Sequence, residues 1–240
     1  MKKIIIASIL LFTFSICKSQ IISDYPFKTY LDKFNNLYLT GYENTGINNN
    51  IKIQKIVNPN NSGDSWTLVI PNLNGDDRGI DIVTDSLGNC YVTGYYNSNN
   101  SNSKDIIVVA LNPNGTIKWT KIFNNPGEDK GMGIALQKDG FGDPSKIYIS
   151  GYVANAQNQK DFIIKGYKAS NGDTTNQIHH ITPLPGDQVA TDILLDDFHA
   201  YVVGYTTEAN GINTDIKIQT YDLSSNSLSE DLTYSRPGSN

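Results

Sequence analysis

The chain has few of the residues that most often carry chemistry. Its 240 residues include two cysteines and three histidines. Cys17 falls within the N-terminal leader, which leaves Cys90 without a partner for an internal disulfide. A strand position beside Tyr91 favours Cys90 as a small buried apolar side chain rather than a nucleophile. His179 and His180 are adjacent, so on a strand their side chains point to opposite faces and cannot bind one metal ion together.

The short motifs that mark common active sites are also absent. The sequence has no Gly-x-Ser-x-Gly, no His-Glu-x-x-His, no phosphate-binding loop and no Cys-x-x-Cys. The carboxylate pairs Asp76-Asp77 and Asp196-Asp197 are adjacent, which points their side chains apart and suits loops better than paired acid and base catalysis. We therefore predict no catalytic residue, no metal ligand and no cofactor, although a motif search does not detect a site assembled from distant segments.

Long apolar runs are missing after residue 20, which excludes a membrane-spanning helix in that part of the sequence. Residues 1–19 are predicted to be a signal peptide with a basic start, an apolar stretch and a Cys17-Lys18-Ser19 cleavage site before Gln20. The predicted location is therefore secreted or cell-surface. Lipidation of Cys17 is the alternative, although Ile16 stands where a lipobox has Gly, Ala or Ser.

Positive charge is scarce in the predicted mature chain. Removal of residues 1–19 takes away three of the 19 basic residues, which leaves 16 basic against 24 acidic residues and a net charge of −8. This balance argues against nucleic acid and against anionic membrane surfaces as partners.

A repeated pentapeptide, Tyr-x-x-Gly-Tyr, is the main pattern that the sequence does contain. It occurs four times, and its glycines are 53, 57 and 53 residues apart. The first tyrosine and the glycine of each copy are Tyr38 and Gly41, Tyr91 and Gly94, Tyr148 and Gly151, and Tyr201 and Gly204. Recurrence at one fixed period predicts an array of one structural unit.

Other residues recur with the same period. A short β-branched run, typical of a strand, follows about ten residues after each glycine and is headed by an Asn or Asp. These heading residues are Asn50, Asp105, Asp161 and Asp215. Trp66 and Trp119 are 53 residues apart, and a glycine with acidic neighbours separates successive units.

Each unit is predicted to form four antiparallel strands. In the second copy the strands are 79–84, 90–95, 105–111 and 116–123, joined by turns at 85–89 and 112–115. Four strands repeated at about 50 residues are typical of β-propeller blades. The predicted domain spans residues 20–240, with blades at 24–74, 75–126, 127–185 and 186–235, and with 236–240 opening a further repeat.

The repeat also resembles a known family. Residues 85–95, followed by Asp105, residues 112–115 and Trp119, resemble the SBBP-type β-propeller repeat of bacterial secreted proteins. The resemblance covers nearly all of the predicted mature chain, although Asn176 and a Ser/Leu stretch replace the Trp in copies three and four. It implies an all-β propeller with an extracytoplasmic location and no single activity.

Packing explains why these residue types recur. Blades pack face to face, so the tyrosines are expected to fill the space between neighbours, and the glycine is expected to let a side chain of the neighbouring blade approach. A sugar-stacking platform is the functional alternative for the tyrosines. The Asp at the head of each third strand is expected to cap backbone N–H groups, with calcium binding as its alternative.

The predicted fold is an all-β propeller with about four blades present, as a partial or open ring, and a compact four-bladed ring is the alternative. The predicted function is a non-catalytic binding scaffold for a protein or glycan that the sequence does not identify. The alternative is an enzyme or accessory domain acting on polysaccharide or peptide. An enzyme is expected to break the repeat at polar positions that face the channel.

Overall fold

The structure is a computed structural model that describes residues 23–60, 63–71, 75–97, 103–138, 144–155, 157–175, 186–207 and 213–235. The predicted signal peptide, Asn176, the pair His179-His180 and residues 236–240 lie outside the described residues. The described part contains 15 β-strands in four antiparallel sheets and no helix. The all-β prediction is therefore confirmed.

Each sheet is formed by consecutive strands that lie in chain order. Sheet 1 contains β1 (Ser23–Leu31), β2 (Leu37–Asn44), β3 (Asn49–Ile56) and β4 (Trp66–Ile70). Sheet 2 contains β5 (Arg78–Thr84), β6 (Cys90–Asn97), β7 (Lys104–Leu111) and β8 (Ile117–Phe123). Sheet 3 contains β9 (Lys130–Lys138), β10 (Pro144–Ala154) and β11 (Lys160–Lys168), and sheet 4 contains β12 (Gln188–Leu195), β13 (His199–Thr207), β14 (Thr214–Asp222) and β15 (Ser227–Tyr234). Sheet 3 thus has three strands among the described residues, and residues 176–185, which follow β11 and its turn, lie outside them.

Local side-chain chemistry explains the tight turn between the first two strands of a sheet. Asp85 Oδ1 accepts hydrogen bonds from the backbone N–H groups of Leu87 and Asn89, both at 2.9 Å, and Gly88 adopts a φ of 85°. Asp32 accepts from the N–H groups of Phe34 and Asn36 in the same way. A short Asp side chain satisfies donors that the turn would otherwise leave unpaired.

The sheets stack in chain order, with the first strand of each against the sheet before it. Strand β5 contacts β1, β2 and β3, strand β9 contacts β5, β6 and β7, and strand β12 contacts β9, β10 and β11. The face of a sheet toward the next sheet is its forward face, and the opposite one is its rear face. Three apolar layers fill the joints, and in the first of them Tyr38, Ile51 and Ile53 of sheet 1 meet Val92 and Ile107 of sheet 2.

The first tyrosine of the repeat lies on the forward face of each sheet. Tyr38, Tyr91 and Tyr148 are completely buried, as rings packed between two sheets should be. Tyr201 is 40% exposed. The difference follows from position, because no sheet in the described part of the chain covers the forward face of sheet 4.

At all four copies the repeat glycine makes room for the backbone of its own sheet, a contact that the expectation of a close approach by the neighbouring blade did not include. A Cβ on Gly94 would collide with the carbonyl oxygen of Arg78 in the adjacent strand β5. Gly41, Gly151 and Gly204 have the same relation to the first strand of their own sheets, and a Cβ on Gly204 would also lie 2.8 Å from the Phe162 ring of sheet 3. Close approach between sheets also occurs at Gly79. A Cβ there would meet the hydroxyl of Thr40 in sheet 1.

The carbonyl approaches the glycine because every first strand carries a bulge at this level. The pairing register shifts between Pro26 and Lys28, between Gly79 and Asp81, between Gly131 and Gly133, and between Ala190 and Asp192. A bulge bends the strand and increases its twist. The first strands of all four sheets therefore bend at the same position, beside the repeat glycine.

The two tryptophans connect successive sheets at the outer edge. Trp66 Nε1 donates a hydrogen bond to the carbonyl oxygen of Pro113, at 2.9 Å, in the β7–β8 turn of sheet 2. Trp119 Nε1 donates to the carbonyl oxygen of Ala169, at 3.1 Å, in the turn after β11 of sheet 3. Each outer strand is thus held to the turn of the following sheet.

Candidate functional site

A cavity lies where the ends of the first strands of all four sheets converge, and we call it the axial cavity. Its volume is about 320 Å³, within the range of about 300–1,000 Å³ that small-ligand pockets occupy. Its lining comprises Tyr30, Asp32, Lys33, Val83, Thr84, Asp85, Ser86, Ile134, Ala135, Leu136, Lys138, Ile193, Leu194 and Leu195. Because no other strands contribute, the cavity is formed only when the four sheets are stacked.

Seven of the 14 residues that line the axial cavity are apolar, and they come from the first strands of sheets 2, 3 and 4. Ile134 and Ile193 are almost completely buried and form part of the layers between sheets. Leu194 is 69% exposed and offers an apolar surface at the mouth. An apolar concave surface with a few polar groups is typical of a ligand-binding site.

The two carboxylates at the cavity are already engaged. Asp85 Oδ2 accepts hydrogen bonds from Asn89 Nδ2, at 2.7 Å, and from Tyr91 OH, at 3.0 Å, while its other oxygen holds the turn. Asp32 Oδ2 accepts from Asn36 Nδ2 at 2.8 Å. Carboxylates held by this many donors act as structural caps, which makes them poor candidates for proton transfer to a ligand.

Other polar groups at the cavity are available to a ligand. The hydroxyl of Thr84 is buried and has no hydrogen-bond partner among the described residues. Lys33 and Lys138 are exposed and place positive charge at the mouth. The cavity therefore combines apolar walls, one unsatisfied hydroxyl and a cationic rim.

The residue after each bulge differs from one sheet to the next. These residues are Lys28, Asp81, Gly133 and Asp192. Asp81 accepts hydrogen bonds from the N–H groups of Ile134, at 2.9 Å, and Ile82, at 2.8 Å, and lies 3.5 Å from Lys28 Nζ. Burial raises the pKa of Asp81 above its usual value, against the opposing effect of these hydrogen bonds and of Lys28. The residue after the bulge is therefore not conserved between the four sheets, and it is charged in three of them.

A belt of cations and tyrosine rings runs across the opposite ends of the first strands. The guanidinium of Arg78 lies 4.4 Å from the ring centroid of Tyr42. The ammonium groups of Lys104 and Lys130 lie 4.6 and 5.0 Å from the ring centroid of Tyr95. These tyrosines are the second tyrosine of their repeats, and the cations cover ring faces that a sugar would need for stacking.

Acidic side chains neutralise this belt. Asp76 pairs with Arg78 at 2.8 Å and with Lys104 at 3.2 Å. Burial opposes ionisation of Asp76, but hydrogen bonds from Arg78 and Asn49 outweigh it and hold the pKa at about 2. Glu128 pairs with Lys130 at 3.0 Å and accepts from Tyr152 OH. The belt therefore joins sheets and supports the packing interpretation of the tyrosines over the sugar-stacking one.

The aspartates that head the third strands are also buried within the fold. Asp105 and Asp161 are completely buried, and Asp215 is 9% exposed. Asp105 accepts from Asn124 Nδ2, at 3.1 Å, and Asp161 accepts from Asn155 Nδ2, at 3.2 Å. Burial raises the pKa of Asp161. Within the described ranges, no three His, Cys, Asp or Glu side chains gather as metal ligands.

The tyrosines, glycines, tryptophans and strand-heading Asn and Asp residues of the repeat lie outside the lining of the axial cavity, whereas Asp85 of the predicted tight turn is part of it. Sequence reasoning missed the cavity because its lining comes from four separate segments of the chain, and a repeat pattern does not predict that they converge. The available signal was the Asp that opens the tight turn after a first strand, which recurs as Asp32 and Asp85. The described residues contain no helix long and apolar enough to cross a membrane.

Compared with known proteins, the chain matches no protein-family model and no curated protein sequence.

Proposed function

We propose that this protein is a secreted or cell-surface binding protein of the SBBP-type β-propeller kind and that its ligand enters the axial cavity. The observation that carries the proposal is the convergence of four first strands on one cavity of about 320 Å³, in which half of the lining residues are apolar. The two carboxylates in its lining already serve as turn caps. Binding without chemistry is the use that this arrangement supports best.

The lining favours a protein segment over a glycan. A sugar brings many hydroxyl groups that each need a partner when buried, whereas half of the lining residues are apolar and both carboxylates of the lining already accept hydrogen bonds within their turns. An apolar side chain fills such a wall, and a nearby acidic group pairs with Lys33 and Lys138 at the mouth. The proposed ligand is therefore a peptide segment with an apolar anchor beside a carboxylate.

A peptide-display selection against the secreted chain tests this proposal, with a glycan array in parallel. Enrichment of peptides that contain an apolar residue next to Asp or Glu is the expected result. Leu194→Arg and Lys33→Glu should each weaken binding of an enriched peptide by about tenfold or more, because both residues lie at the cavity. Ile117→Arg, at a 49% exposed position of outer strand β8, is the matched control and should bind normally.

Glycan binding without peptide enrichment would contradict the proposed ligand. Peptide binding that survives both cavity variants would contradict the proposed site.

An enzyme acting on polysaccharide or peptide is the second candidate, and one observation favours it. Asp81 is a buried carboxylic acid with a raised pKa, and the charge of Asp192 contributes to that rise. Two carboxylates in unequal environments can divide acid and base roles. Hydrolysis assays with wild type and Asp81→Asn test this candidate. Turnover that the variant loses would support it, and turnover that the variant retains would exclude Asp81.

A further inference from the structure

No described sheet packs on the forward face of sheet 4, whereas the forward faces of the other three sheets are buried against the next sheet. Tyr201 and Ile216 are 40% and 56% exposed, whereas the equivalent Tyr148 and Phe162 of sheet 3 are completely buried. Val203 at the centre of this face is 40% exposed. A contiguous apolar face of this kind marks an interaction site.

The carboxylate of Asp192 on sheet 4 also lacks a hydrogen bond that its counterpart Asp81 makes to the next sheet. Asp81 uses one carboxylate oxygen for the N–H of Ile82 in its own strand and the other for the N–H of Ile134 in the next sheet. Asp192 makes the first of these bonds, to Ile193 N at 2.8 Å. Its second oxygen receives no donor from the described residues. Sheet 4 therefore presents a carboxylate oxygen in the position from which Asp81 accepts a backbone N–H of the next sheet.

The rear face of sheet 1 is the matching surface, on which no sheet of the described part of the chain packs. Its third strand reads Ile51-Lys52-Ile53-Gln54, and the third strand of sheet 4 reads Ile216-Lys217-Ile218-Gln219. In sheet 4, Lys217 and Gln219 lie on the rear face against sheet 3 and are 3% and 0% exposed. The same tetrapeptide in sheet 1 is therefore compatible with burial under a forward face.

Charge does not oppose burial of that rear face. Lys217 is neutralised within its own sheet by Asp231 at 2.7 Å. Lys52 is neutralised within sheet 1 by Asp24 at 2.8 Å and Glu43 at 3.2 Å. Covering Lys52 thus leaves no unpaired charge, which is the condition for burying a lysine without a large cost.

We propose that the forward face of sheet 4 docks on the rear face of sheet 1 of a second copy of this chain. The joint repeats the one between sheets 3 and 4, with Tyr201 and Ile216 in the places of Tyr148 and Phe162. Asp192 accepts the N–H of Thr29 of the second copy, since Thr29 occupies the position of Ile134. The two surfaces differ, so the contact is heterologous and either closes into a ring or continues.

A joint between two sheet 4 forward faces is disfavoured. All three joints within the chain place a forward face against a rear face. A forward-to-forward contact would bury Asp192 without the N–H donor that a first strand supplies, which costs free energy.

Sedimentation velocity of the secreted chain across the micromolar range tests the proposal. Self-association is expected, and Ile216→Lys should weaken it by about tenfold or more because it places a charge in the joint. Ile117→Lys, the control on an exposed outer strand, should associate as wild type does. Monomers at every concentration would overturn the proposal. Circular dichroism shows whether Ile216→Lys is folded.

Disulfide trapping identifies the two faces independently of that variant. Val203 takes the place of Thr40, whose hydroxyl approaches Gly79, and Pro26 takes the place of Gly79. Oxidation of a mixture of Val203→Cys and Pro26→Cys chains should give a covalent dimer of the two. Cross-linking of Val203→Cys with itself would overturn the proposal in favour of a symmetric joint. A bond formed within single chains of the double variant would overturn it in favour of closure by one chain.

Discussion

Replacement of Gly94 by alanine is the sharpest test of how the repeat holds its sheets together. Gly94 pairs with Gly79 of strand β5, directly beside the bulge of that strand. A Cβ at Gly94 would collide with the carbonyl oxygen of Arg78 and would lie 3.0 Å from both the Arg78 carbonyl carbon and Gly79 Cα. All three atoms belong to backbone, so no flexible side chain can move aside.

The sign of the change in unfolding free energy distinguishes Gly94 from a strand glycine that has free space around it. An uncrowded glycine inside a strand is destabilising by about 0.5–1 kcal/mol relative to alanine, so Gly→Ala would normally stabilise. Overpacking of a buried site costs about 1–3 kcal/mol. Because the obstacle is backbone, we expect the overpacking cost to dominate and the free energy of unfolding to fall.

Urea unfolding followed by circular dichroism measures this change, and hydrogen exchange locates it. Thr120→Ala, at an exposed position of strand β8 in the same sheet, is the control and should stay within about 0.5 kcal/mol of wild type. Amides of the β5–β6 pairing should exchange faster in Gly94→Ala because the first strand has to move away.

A stabilised Gly94→Ala variant would refute the collision. Faster exchange only in the strands that contact sheets 1 and 3, with the β5–β6 amides unchanged, would refute a collision within sheet 2. It would instead support the expectation that Gly94 makes room for a neighbouring blade.

Three further predictions address the outer edge, the pH dependence and the cysteine. Trp119→Phe should lower the free energy of unfolding by about 1–3 kcal/mol because it leaves the carbonyl of Ala169 without its donor, and an unchanged urea midpoint would contradict this. Burial raises the pKa of Asp129 to about 7, so the folded state binds the proton more tightly and stability should fall as pH rises from about 4 through about 7. Asp129→Asn should flatten that fall in urea midpoints, and an identical pH profile would exclude Asp129 as its source. Cys90 is completely buried and burial raises its pKa, so a thiol reagent should modify the secreted chain only in denaturant, and rapid labelling under native conditions would contradict its placement.

The sequence alone determined the all-β class and the order of the strands. Alternating β-branched runs between turn residues specify strands locally, and Asp85 with Gly88 specifies its turn through bonds to residues within four positions of it. The burial of Tyr38, Tyr91 and Tyr148 was also predictable, because one large ring at one position of every unit is what a packing rule produces.

Only the tertiary structure decided what each repeated residue contacts. Gly94 faces a carbonyl of its own sheet because strand β5 carries a bulge, and the residue pattern does not predict that bulge. Trp119 reaches Ala169, which is 50 residues away in sequence. The axial cavity joins segments of four sheets, and the exposure of Tyr201 depends on which face lacks a neighbour. The Gly94 contact depends on a bulge within one sheet, whereas the other properties come from contacts between units, and a repeat pattern describes only one unit at a time.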